Sequence, residues 1–351
     1  MCGSIFPMIN NVLILMGFPW KFGIIMPFYK PWFLILTTFF GMGLMFLIYI
    51  VMKCCKSSEN SPRNRSDLFL FRSLFAPAIL NILSSILQSY ALFFMPLTVW
   101  QLFHGFQVLF ATLFSVTYLR KALYLVDWLG LFVTVLGICT AGVSALLRGL
   151  NESDVTITQL FFSFLMVILS HGIKSFQMIM EEELIRNDGA SPVEITTFEG
   201  IWGVFIIGFI ILPICNILPS KSGICIYENT VEIYEILKLS TRLITLVVLY
   251  MGCTTFYNYC GIVVTSFSSA LHRALYEMFR PFIILAVSAF AFYFTEYKAI
   301  GEKMDRFSII EFIGFFIAVI GTLIYNKTIE LPCFFYNDTS DDIVDIKKNL
   351  V

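Results

Sequence analysis

Apolar runs of about twenty residues follow one another along this chain, and their spacing limits the fold more than any other feature. A run of that length, wound as a helix, matches a hydrocarbon core of roughly 30 Å and satisfies its backbone hydrogen bonds within one segment. Such runs fall near 4–20, 31–53, 70–95, 97–119, 125–147, 158–181, 192–218, 241–263, 267–294 and 307–326. They predict an all-α integral membrane protein of about ten transmembrane helices. Pro7, Asn10, Asn11, Pro19 and Lys21 crowd the first run, which is the weakest span and leaves room for a start upstream of Met1. Pro281 offers a break within the ninth.

The composition agrees. Of 351 residues, 58% are hydrophobic and only 13% charged, about half the charged share of a soluble domain. A net charge of −1 argues against nucleic acid as a partner. The nine cysteines form no CxxC pair and read as small packing residues. Basic residues set the expected orientation: Lys53, Lys56, Arg63, Arg65 and Arg72 flank one loop, Arg120 and Lys121 another of the same parity, so both loops and both termini are expected in the cytosol. The stretch Glu181 to Asp188 reads as an acidic loop that runs against this rule. Of the sequons, only Asn151-Glu-Ser falls on the lumenal side in this topology.

The chain also resembles itself. DWLGLFVTVLG (127–137) recurs as EFIGFFIAVIG (311–321), so Gly130 and Gly137 match Gly314 and Gly321. Upstream, residues 89–105 align without gaps on 258–274, which pairs Tyr90 with Tyr259 and His104 with Arg273. Internal repeats of this kind mark many secondary transporters. The expected organisation is therefore two five-helix halves, 1–157 and 158–330, inverted because each holds an odd number of helices. A disordered cytosolic tail at 331–351 follows. The four glycines also have a plain packing role, since small residues let helices approach closely in lipid.

Charge inside the spans needs a reason, because an ionisable side chain at the membrane centre costs about 2.5–3.5 kcal/mol or more. Arg273, Glu277 and Arg280 fall within about 60° of helical arc, so Glu277 can partner both arginines. Two readings stand: a structural ion pair, or an arginine left to bind an anionic group through its planar fork. The repeat-related helix carries Gln101 and His104, with Gln107 further on, and a histidine there could carry a coupling proton. Lys174, Gln177 and Glu181 share a face of the sixth run, Asn258 and Tyr257 offer milder polar groups on the eighth, and Glu199 opens the seventh. His171 and His272 read as structural, and Trp100 and Phe103 as lipid-facing. The candidate substrate-binding set is Gln101, His104, Lys174, Gln177, Asn258, Arg273, Glu277 and Arg280. Enzyme signatures such as GxSxG, HExxH and the P-loop are absent from the sequence, and no cofactor or metal is expected.

The stretches WQLFHGFQVLFATLFSVTYLRKALYLVDWLGLFVTVLGI (100–138), KSFQMIMEEELI (174–185) with FEGIWG (198–203), YNYCGIVVTSFSSALHRAL (257–275) and IGFFIAVIGTLIYN (313–326) resemble the solute carrier 35 group of nucleotide-sugar transporter-like proteins. Within the drug/metabolite transporter superfamily, they are most similar to its F subgroup. The resemblance implies ten helices in two inverted halves, with alternating access around a central cavity. In the relatives an arginine tends to occupy the place of His104, which is a departure here. The leading expectation is a secondary transporter, by exchange or proton coupling, for an organic anionic metabolite such as a nucleotide sugar. It would sit in an endomembrane rather than the plasma membrane, with a homodimer allowed. The competing expectation is a membrane scaffold or receptor that keeps the fold without transport.

Overall fold

Proline and capping residues open several of the helices. The structure, a computed structural model, describes residues 17–19, 25–27, 30–56, 66–94, 100, 103–120, 124–152, 157–217, 228, 230–277, 279–280, 283, 306–325 and 329. Most of the first expected span lies outside these residues. Its three described residues, Gly17–Pro19 (β1), are a correction to the helical reading: they pair antiparallel with Ile25–Pro27 (β2), Phe18 opposite Met26. Pro19 and Pro27 lack the N–H a helix needs and sit at the ends of their strands, where none is required. The tail at 331–351 and most of the ninth span beyond Arg280 also lie outside the described residues.

Pro31 fills the first turn of α1 (Pro31–Leu44), which continues as α2 (Phe46–Lys56). The next span is α3 (Asp67–Ser73) with α4 (Phe75–Phe94). Then come α5 (Gly105–Thr117), α6 (Leu125–Glu152) and α7 (Ile157–Asp188). A capping box of Ser191 and Glu194 starts α8 (Pro192–Phe205), which runs through a π-helical turn at Ile206–Ile211 into α9 (Leu212–Ile217). The rest is α10 (Thr230–Leu239), α11 (Thr241–Phe267), α12 (Ala270–Glu277) and α13 (Arg306–Tyr325). Five continuous helices, Pro31–Cys54, Asp67–Leu92, Phe161–Asp188, Pro192–Ile217 and Thr241–Phe267, are long and apolar enough to cross a membrane, and shorter apolar helices join them. Large apolar side chains such as Phe162, Phe209 and Phe316 stay exposed, as lipid contact requires. This is an all-α membrane protein.

A central core joins Val108 and Ala111 of α5, Leu131 of α6, Met178 and Ile179 of α7, Leu271 and Leu275 of α12 and Ala318 of α13. The glycines with matched spacing meet each other across one seam. A Cβ added to Gly137 would lie 2.4 Å from both Gly314 O and Ala318 N, and one added to Gly321 would lie 2.7 Å from Gly130 O. Going up α6 from Gly130 to Gly137 means going down α13 from Gly321 to Gly314. The repeat-related helices therefore cross antiparallel, each using the same patch.

Two further expectations change. The eighth and ninth runs divide at Ser268, where the backbone leaves helical geometry (φ −127°, ψ −93°), so Phe267 belongs to α11 and not to the ninth span. The acidic stretch Glu181 to Asp188 is no loop but the end of α7. Its Glu182 is fully buried and accepts the Ala270 N–H at 3.0 Å, capping α12, while Arg186 holds Glu182 at 2.7 Å and donates to the Ser268 carbonyl at 3.0 Å. Two of its acids, Glu181 and Glu182, are thus committed inside the fold.

On the other side of the molecule Glu228 closes the start of α1, accepting the Trp32 and Phe33 N–H groups at 3.0 and 2.9 Å. Only 1% of it is exposed, and burial outweighs those two bonds and nearby Lys30, pushing its carboxyl from 4.5 up to about 7. The folded chain then holds a proton that the unfolded chain has released. The stability from this group is full below pH 4.5 and lost as pH rises through about 7, a swing of about 3 kcal/mol at most. Melting temperatures of wild type and Glu228→Gln across that window are expected to diverge as pH rises, with the wild type falling more steeply.

Candidate functional site

Asn81, Ser84, Ser85 and Gln88 recur at i, i+3, i+4 and i+7 on α4, which turns one polar stripe inward. It faces a cavity of about 130 Å³ enclosed by α1, α4, α7, α11 and the segments around Trp100–His104 and Glu277–Arg280. Of the sequence-predicted residues, His104, Lys174, Asn258, Glu277 and Arg280 line this one cavity, together with Gln107 and Tyr257. Gln177 and Arg273 do not, and Gln101 lies outside the described residues. The α4 stripe was missed at the level of sequence, although its spacing is plainly that of a helix face.

The cavity wall carries two cations and one carboxylate. Lys174 Nζ donates to Asn81 Oδ1 at 3.0 Å. The Arg280 guanidinium sits between two rings, 5.7 Å from that of Trp100 and 5.5 Å from that of Tyr257, a cation–π arrangement that holds the charge where water is scarce. Glu277 accepts from Gln107 Nε2 at 2.7 Å and from Arg273 Nε at 3.3 Å. The sum, with His104 neutral, is one positive charge, which suits an anionic ligand group.

Arg273 stands behind this wall. It is 2% exposed and reaches Glu181 at 2.8 Å with Nη1 and Glu277 with Nε. The close pass of its guanidinium requires Gly261, where an added Cβ would lie 2.7 Å from Nε. Of the two readings of the charged stripe, the ion pair describes Arg273, and Arg280 is the arginine at the cavity. Glu277 pairs with Arg273 and feels the charge of Arg280, and Arg273 is in turn shared between Glu181 and Glu277. Glu181, about two turns along α7 from Lys174, was assigned to that helix's face but not to Arg273.

Gln177 lies deeper still, donating Nε2 to Glu181 Oε1 at 2.5 Å and to Glu199 at 3.3 and 3.4 Å. Glu199, on α8, is fully buried and also takes Asn81 Nδ2 at 3.4 Å. His104 makes ring contacts with Trp100 at 4.8 Å and His171 at 4.6 Å, which pack it into the wall. Trp100 and Phe103 are 4% and 9% exposed, so the lipid-facing expectation for both is corrected: Trp100 borders the cavity, and Phe103 stacks on Phe106 and Phe164. His272 hydrogen bonds Ser269 Oγ at 2.8 Å next to the α11–α12 break. Among the described residues, no group of three or more His, Cys, Asp or Glu could hold a metal ion.

Comparison with known proteins gives the following. No family model matches the chain. The human protein named solute carrier family 35 member F6 is 27% identical over 71% of this chain, and the match spans 65% of its own length, just under two thirds. The rat protein of the same name is 25% identical over 79% of this chain and 73% of its own. A solved crystal structure shares the fold with a TM-score of 0.58 at 12% identity, covering 94% of this chain and 95% of that one.

Proposed function

Relatives at 24–27% identity over most of the chain support membership in the F subgroup of solute carrier family 35, and on that premise we propose that this protein is a secondary active transporter for an organic anionic metabolite. The observation that carries the reading is the cavity with Lys174 and Arg280 on its wall. The proposed substrate site is Lys174, Arg280, His104 and Asn258, with Glu277 orienting the cations and Arg273 and Gln177 holding the carboxylates behind them. Nucleotide sugars are one class within the proposal, and an endomembrane is the proposed location.

Alternating access is the proposed mechanism, built on ten helices in two inverted halves, 1–157 and 158–330. The antiparallel glycine seam supports it, because Gly130 meets Gly321 and Gly137 meets Gly314 as a two-fold axis in the membrane plane would pair them. The cavity also draws on both halves: Asn81 and His104 come from the first, Lys174 and Arg280 from the second. A non-transporting scaffold can claim the ion pairs of Arg273, but it gives no reason for two cations beside an internal cavity.

Uptake into proteoliposomes with a panel of nucleotide sugars, nucleotides and organic anions tests this. Wild type is expected to move at least one of them above protein-free vesicles. Lys174→Ala is expected to lower that uptake about tenfold or more, the loss of one charge-assisted bond, with little change in melting temperature. If no anion moves with or without a proton gradient, the transporter reading fails.

A further inference from the structure

Glu199 is a carboxyl fully buried on α8, and among the described residues no cation lies within salt-bridge distance to compensate it. Its contacts are two side-chain amides at 3.3–3.4 Å, Gln177 and Asn81, and the carboxyl of Glu181, which lies within side-chain hydrogen-bond reach. The neighbouring Glu181 is already paired with Arg273. Gln177, 1% exposed, donates its Nε2 to both carboxyls while its own Oε1 has no hydrogen-bond partner. An ionised carboxylate in such a place is strongly disfavoured, whereas a carboxylic acid supplies a donor where an acceptor is waiting.

We propose that Glu199 is the proton-binding site of the transporter, and that Lys174 couples the proton to the substrate. The proposal rests on the transport reading above. Lys174 and Glu199 are joined through one amide: Lys174 Nζ donates to Asn81 Oδ1 at 3.0 Å, and Asn81 Nδ2 reaches Glu199 Oε2 at 3.4 Å. With the proton on Glu199, the ammonium of Lys174 has no buried charge to neutralise and serves an anion in the cavity it borders. When the O–H bond of Glu199 breaks, the proton leaves through the cavity and the carboxylate left behind draws the Lys174 charge to itself across Asn81. The anion and the carboxylate therefore compete for one lysine, so anion and proton bind together and travel in the same direction.

The groups that face Glu199 fit this assignment. From α7 come Lys174 and Glu181; from α12, Arg273 and Glu277, which are paired within the same network; and from α11, Tyr257 on the far side of Glu277. α2 offers Tyr49 against neighbouring Phe198, its Lys53 being turned outward to Asp67. α4 presents the neutral Asn81, and α1 presents backbone, with Gly43 against Gly200. Lys174 is the one cation among these with no carboxylate at salt-bridge distance.

Infrared spectroscopy of the full-length protein in liposomes reads the proton directly, without a substrate. In a Glu228→Gln background, which removes the other carboxyl that burial pushes up to about 7, the protein is expected to show a protonated-carboxyl band at neutral pH that fades as pH rises, and adding Glu199→Gln, which keeps the shape of the acid, is expected to remove it. A Glu228→Gln spectrum with no such band, or a band that survives when Glu199→Gln is added, overturns the assignment even if the double variant folds poorly, since Glu228→Gln alone decides the first. With an anion that wild type moves, uptake driven by a proton gradient is expected to be lost in Glu199→Gln while anion exchange across the membrane persists. Gradient-driven uptake equal to wild type overturns the coupling. If the panel moves nothing while the band behaves as expected, it is the transport reading that fails and the proton site that stands.

Discussion

Arg273→Ala is expected to give a protein that melts well below wild type and purifies in lower yield, and this is the largest single-residue effect foreseen. Arg273 joins Glu181 and Glu277, both in the interior, through bonds of 2.8 and 3.3 Å. Removing the guanidinium leaves two carboxylates facing each other in a place almost without water. Breaking one buried pair costs about 3–5 kcal/mol, a large part of the margin by which a protein stays folded. Arg273→Lys is expected to recover part of the loss, because one ammonium cannot serve both carboxylates from the geometry of a planar fork. Adding Glu181→Gln and Glu277→Gln to Arg273→Ala is expected to recover more, since neutral amides do not repel. Thermal unfolding of the purified protein in detergent measures all three. A melting temperature unchanged by Arg273→Ala would show that the network contributes nothing to the fold. The same logic explains why Arg273→Ala is a poor probe of transport and Lys174→Ala a better one.

The second large effect is expected at the seam between α6 and α13. In Gly137→Ala the new methyl carbon would lie 2.4 Å from the backbone at Gly314 and Ala318, where no side chain can swing aside. The helices must move apart, at about 1–3 kcal/mol for overpacking, and Gly137→Leu is expected to cost more. Gly252 on α11 is the control, because a Cβ there meets nothing within 4 Å. Gly252→Ala is expected to leave the melting temperature level or raise it, since alanine loses less backbone freedom in a helix than glycine. Opposite signs for the same substitution would locate the effect in the seam and not in helix propensity.

Hydropathy made the helices legible, because length and apolarity are local properties of the chain. The matched glycines pointed to a repeat for the same reason, although only the folded chain brings Gly137 to Gly314. Periodicity also grouped Arg273, Glu277 and Arg280, yet it could not say which of them faces a cavity. That choice depends on Glu181, 92 residues away from Arg273, and on Gly261 making room for the guanidinium. The helical course past Glu181 was hidden by composition: EEELIRND reads as a loop because four acids outnumber the apolar residues, whereas the structure makes the stretch the end of α7 with Glu181 and Glu182 buried. The α4 stripe of Asn81, Ser84, Ser85 and Gln88 could have been found from spacing alone, being uncharged but regularly placed.

The cap that Glu182 places on α12 has a mechanical side. Glu182 and Arg186 grip the α11–α12 break through Ala270 N–H and the Ser268 carbonyl, and the residue before them, Glu181, grips Arg273. The end of α7 and the start of α12 are thus clamped at three points along about one and a half turns. α8 is held to the same stretch of α7 by Gln177 against Glu199 and by Leu184 and Ile185, which pack on Val193, Ile195 and Phe198. A displacement of the end of α7 therefore carries the start of α12 with it.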